Sequence, residues 1–201
     1  MRALLPKAPV AGLARGFTVV ELMVTVAIIG VVSSVLFTVS QDSWRRERAN
    51  AATVELAAWL DQISRSPEQN GVSCQVTVNT GTLAPGAVLA SVNPTNCATE
   101  ADVRLPGINI NQNFQVAASV ATTLTSTGTL QWWFTPRGAI STTAPAVNAG
   151  SAATDISVRI SVAGQVPVRC VRLSGTLGLQ RMGRNNATGN PNTDCTDWSV
   201  R

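Results

Sequence analysis

The 201-residue chain contains no histidine and no tyrosine. The first absence excludes Ser-His-Asp and Cys-His catalysis, histidine-ligated metal sites and imidazole pH sensing. Charge is also scarce, at 13% of residues, while 45% are hydrophobic, which is too apolar for a disordered chain. The four cysteines form no C-x-x-C pair, and their spacing fits no zinc-finger pattern. No nucleophile–base pair, metal cluster or phosphate loop stands out. The chain is therefore not expected to be an enzyme or to hold a cofactor or metal. Its length allows one domain plus an appendage, but not two full domains.

The excess of apolar residues is concentrated in one place. Residues 17–39 read FTVVELMVTVAIIGVVSSVLFTV, with Glu21 the single charge. As a helix this run would be about 35 Å long, enough for a hydrocarbon core of about 30 Å. The preceding segment, MRALLPKAPVAGLARG, carries Arg2, Lys7 and Arg15 and no acid. Such a flank holds its side of an apolar helix in the cytoplasm, so everything after Val39 is expected outside the inner membrane. An ordinary secretory signal fits poorly, because its apolar region spans about 7–15 residues and ends at a small-residue cleavage site. A plain single-pass anchor leaves Glu21 unexplained. An acid within a bilayer helix costs about 2.5–3.5 kcal/mol even on the lenient insertion scale.

The segment Arg15-Gly16-Phe17-Thr18-Val19-Val20-Glu21-Leu22-Met23 closely resembles the class III leader junction of type IV pilins and pseudopilins. In that family a membrane peptidase cuts after the glycine, here Gly16, and N-methylates the new first residue, here Phe17. Glu21 becomes the fifth residue of the mature chain, where the family's carboxylate meets the ammonium of a neighbouring subunit's N-terminus. A buried charge persists only when paired, and an α-ammonium is a suitable partner. The resemblance implies a leader over residues 1–16 and a transmembrane, filament-core helix over 17–39. Its implied partners are the prepilin peptidase/N-methyltransferase, other major and minor pilins or pseudopilins, and an inner-membrane assembly platform.

Residues 41–65 contain no glycine or proline, and Ala52, Leu56, Trp59, Leu60 and Ile63 recur on one helical face. This predicts an amphipathic continuation over 40–65, with Ser66-Pro67 ending it. Plain core packing accounts for the Trp59 stripe. Beyond Pro67 the pattern turns to strands, at 72–78, 114–120, 129–135, 156–162, 168–173 and 176–180. Asn79-Thr80-Gly81, Pro136-Arg137-Gly138 and Ala163-Gly164 read as turns. The expected fold is α+β: a long N-terminal helix packed on a β-rich, mostly antiparallel head over 68–201, with half-exposed strands. Trp133-Phe134-Thr135-Pro136-Arg137-Gly138 looks like the F-x-P-x-G strand-turn of the FimT/GspH group of minor pilins and minor pseudopilins. The later run VRCVRLSGTLGLQRMG is similar to that group's closing strands, whereas residues 60–67 lack its customary Ala-Arg-x-x-Ala helix ending. That resemblance implies a minor pilin of a type IV pilus, or a minor pseudopilin of a type II secretion system.

Cys74, Cys97, Cys170 and Cys195 allow three pairings, and an extracytoplasmic head favours disulfides over free thiols. Cys74–Cys97 with Cys170–Cys195 is the most local arrangement. Losing the leader's three basic residues lowers the net charge from +4 to +1. What remains is concentrated: Arg159, Arg169, Arg172, Arg181, Arg184 and Arg201 lie near the C-terminus, beside only Asp194 and Asp197. One expectation is a solvated rim or a subunit interface. The other is DNA, gripped through phosphates by Arg172, Arg181 and Arg184. Some FimT-type minor pilins serve DNA uptake through a C-terminal Gly-Arg-x-Arg. Here only Gly183-Arg184 matches, with Asn186 where the second arginine would stand. The stretch 185–197 is rich in oxygen ligands suited to Ca²⁺, and Asn186-Ala187-Thr188 matches the glycosylation sequon.

Overall fold

The computed structural model describes residues 16–107, 112–143, 155–175 and 179–200; side chains at 35–39 and 199–200 lie outside the description. The chain separates into two compact units, Met1–Gln41 and Asp42–Arg201.

Helix α1 (Val19–Asn70) opens with Thr18 and Glu21 in a capping box. Thr18 Oγ1 accepts from the Glu21 N–H at 3.2 Å, and Glu21 Oε2 accepts from the Thr18 N–H at 3.0 Å. Two donors that helix geometry would leave unpaired are thereby satisfied. The described side chains of the first unit expose apolar groups all round the helix, from Val19, Val20 and Leu22 to Ile28, Ile29 and Val32. Such a surface is stable only under lipid or other chains. Among the described residues, no helix is long and apolar enough to cross a membrane. Residues 35–39, which complete the 17–39 run, fall where side chains are not described.

In the second unit the expected stripe is the packed face: Ala52, Leu56, Trp59, Leu60 and Ile63 are all buried. The Trp59 indole N–H donates to the Glu100 carbonyl at 2.8 Å. The helix does not stop at Ser66-Pro67 but runs to Asn70. Ser66 and Pro67 are both buried, so packing of the last turn outweighs the backbone bond that proline removes. Gly71, at φ 67°, ends the helix instead.

Eleven strands follow among the described residues: β1 (Cys74–Leu83), β2 (Val88–Asn93), β3 (Asp102–Arg104), β4 (Phe114–Val120), β5 (Thr123–Thr125), β6 (Gly128–Phe134), β7 (Ile140–Ser141), β8 (Ile156–Val162), β9 (Gln165–Leu173), β10 (Gln180–Asn185) and β11 (Asp197–Val200). Every pairing is antiparallel, and one continuous path runs β11-β10-β9-β8-β4-β1-β2-β3, with β6 on the other side of β1. The architecture is thus α+β, a helix followed by an antiparallel head. Asn79-Thr80-Gly81 is not a turn. β1 continues through it, pairing β2 up to Val78, β6 up to Thr80 and β4 from Gly81 onward. Gly81 sits at φ 109°, a backbone state open to glycine, and supplies the bend where the strand changes partners.

The strands expected at 114–120 and 156–162 fall on β4 and β8. The one expected at 176–180 lies mostly outside the described residues, and the strand found there starts at Gln180. The alternation ISVRISV suggested a half-exposed β8, yet all seven residues are buried. Ile156, Val158 and Ile160 join the main core. On the opposite face, Arg159 is held by Ser119 Oγ at 3.0 Å and by Asp194 of the C-terminal loop at 3.0 Å.

Candidate functional site

Gly16 and Phe17 are exposed, and Phe17 is 87% accessible, so the expected cleavage junction lies open immediately before the helix cap. Glu21 is therefore placed twice over. Its carboxylate caps its own helix through Thr18, and it lies within a surface that is otherwise apolar. The sequence reading missed the first role, although Thr18-x-x-Glu21 ahead of an apolar run is the signature of a capping box.

At the other end of the chain, Cys74 pairs with Cys97 and Cys170 with Cys195, the most local of the three arrangements. The loops span 23 and 25 residues. Loops of this length correspond to about 3 kcal/mol each on the chain-entropy account. The second disulfide is one of several anchors on the loop between β10 and β11. Asn185 is buried and its Nδ2 donates to the Asp194 carbonyl at 2.8 Å; Pro191 is also buried. Gly189 lies so close to the β8–β9 turn that a Cβ there would overlap the backbone of Gly164 and Gln165. The two carboxylates of the loop and β11 are both engaged, Asp194 by Arg159 and Asp197 by Arg184. Among the described residues, no group of three or more acids or cysteines converges as a metal site.

The arginines do not form one patch. In the β9–β10 ladder Arg172 lies opposite Arg181, and Arg169 opposite Arg184. Residues directly opposite share a face, and positions three apart on a strand fall on different faces. Arg172 and Arg181 accordingly line one cavity with Asp155 and Trp198, while Arg169 and Arg184 line another with Asn50, Asp197 and Trp198. The three arginines singled out for DNA, Arg172, Arg181 and Arg184, are therefore split between two cavities. Arg172 is further committed: Asp155 Oδ2 accepts from its Nη2 at 2.7 Å, and its guanidinium lies 5.7 Å from the Trp198 ring centre. Asp155 was invisible to a count of C-terminal charge, because it precedes that stretch and is brought there by β8–β9 pairing.

Burial pushes the Asp155 carboxyl up, but hydrogen bonds from Arg172 and the Gly175 N–H, with the Arg172 charge, outweigh it and hold it below its ordinary value. A carboxyl lowered on folding adds stability above its unfolded pKa, near pH 4, and that share is lost as pH falls through the lowered folded value. Asp155→Asn should therefore lower the denaturant midpoint at pH 7, and the gap from wild type should narrow toward pH 3. Equal gaps at both pH values would show that the Asp155 charge adds nothing.

Residues 13–37 match the prokaryotic N-terminal methylation motif. The match covers the leader junction, Glu21 and most of the apolar run, and supports a pilin- or pseudopilin-type protein. Neither a curated protein nor a solved structure matches the chain.

Proposed function

We propose that the chain is a minor type IV pilin, a structural subunit that helps initiate or cap a filament. On this reading the prepilin peptidase removes residues 1–16 and N-methylates Phe17. The 17–39 helix rests in the inner membrane, with the head in the periplasm, and then enters the filament core. The observation that carries the reading is the methylation motif over residues 13–37, joined to a helix whose first turns, from Val19 to Val32, expose apolar side chains all round. Two disulfides suit an oxidising compartment. The role is assembly and not catalysis. A minor pseudopilin of a type II secretion apparatus would share every one of these features.

The test is intact-mass analysis of the chain from cells with and without the prepilin peptidase. The expected product starts at methylated Phe17, and Gly16→Val should leave the precursor uncut. An uncut wild-type chain, or a cut elsewhere, overturns the proposal.

A further inference from the structure

The cavity between α1 and the β9–β11 edge has a volume of about 360 Å³ and contains Asn50, Arg169, Arg184, Asp197 and Trp198. Its charge is incompletely matched. Asp197 takes a hydrogen bond from Arg184 Nε at 3.4 Å, whereas Arg169 forms no ion pair among the described residues, and Glu47 acts on it only through its charge. The Arg169 Nε is buried and has no hydrogen-bond partner. Desolvation, and then the charges of Arg184 and Arg46, draw the Arg169 guanidinium below its ordinary pKa, with Glu47 opposing them. A buried unpaired donor and two like charges placed directly across a ladder are both unfavourable. A single anion would relieve both. The side chains in play are Arg46, Arg169 and Arg184 against Glu47 and Asp197, an excess of one positive charge. That balance fits one negative charge, whereas a phosphate diester chain running through the site would bring one charge per linkage.

We infer that this cavity receives the carboxylate of a glutamate or aspartate side chain from a neighbouring subunit. The Arg169 fork and the Arg184 guanidinium supply charge-assisted donors. The Asn50 carboxamide adds a neutral donor, and Met182, on the same face of the sheet, gives the methylene stem an apolar wall. Arg184 remains reachable, its side chain 55% exposed. The carboxylate chemistry stands on the cavity itself, while its source, an adjacent filament subunit, rests on the pilin reading.

The experiment uses the full chain in detergent micelles, following the arginine Nε–H signals by NMR. The probe is N-acetylated, amidated glutamate, which carries one carboxylate, with the glutamine analogue as its neutral control. The Arg169 signal should shift saturably with the glutamate probe and not with the glutamine one. R169Q should weaken binding roughly tenfold or more. R169K, which keeps the charge but lacks the fork, should fall between and serves if R169Q does not fold. R181Q, in the other cavity, should leave binding unchanged. No saturable shift, or tighter binding of inorganic phosphate or of a short DNA duplex at equal salt, overturns the inference. In cells, R169Q should reduce the chain in sheared filaments while leaving leader removal unchanged. Wild-type incorporation of processed R169Q overturns the docking role, and an unprocessed wild-type chain overturns the pilin reading alone.

Discussion

Glu21→Gln should retain the helix cap and abolish filament incorporation. Glutamine also serves at the last position of a capping box, so the bond from the Thr18 N–H survives the change. What disappears is the charge. If Glu21 answers a neighbouring subunit's α-ammonium inside the filament core, its loss leaves that cation buried and unpaired, at about 3–5 kcal/mol. The yield in sheared filaments should fall by roughly a hundredfold or more. Thr18→Ala makes the complementary change: it removes the hydroxyl of the cap and keeps the carboxylate, at a cost of about 1 kcal/mol. Incorporation should then fall only modestly. If Glu21→Gln assembles normally while Thr18→Ala does not, the acid is a helix cap and nothing more.

The second large effect is expected at Gly189. A methyl group there has no room, because its position coincides with backbone atoms of Gly164 and Gln165, and backbone cannot rotate aside as a flexible side chain can. The β10–β11 loop must lift, disturbing the Arg159–Asp194 pair on the outer face of β8. Gly189→Ala should destabilise the head by about 3 kcal/mol, the upper end for overpacking, and lower Tm by roughly 10 °C. Asn186→Ala, at an exposed position in the same loop, should stay within about 0.5 kcal/mol of wild type. Equal melting of the two variants would mean that the loop does not bear on the turn.

The features legible in the sequence are those whose determinants lie close together along the chain. The leader junction, the apolar run and the Trp59 stripe are local patterns, and so is the alternation that placed β4 and β8. The helix end was misread because Pro67 is a local stop signal overridden by burial, a tertiary effect. β10 was missed because QRMGRN lacks apolar alternation and takes its order from β9 on one side and β11 on the other. The split of Arg172 and Arg181 from Arg184 follows from strand parity, which could be worked out only once the register was known. The Asp155 partnership was hidden for the same reason.

β1 belongs to two ladders at once, with β2 and β6 before the Gly81 bend and with β4 after it. A strand shared in this way ties the fates of both halves of the head. Releasing β4 strips one end of β1, and releasing β2 and β6 strips the other, so neither half can open without loosening the strand that seeds its neighbour. The head is built to unfold as one cooperative unit and not in two stages.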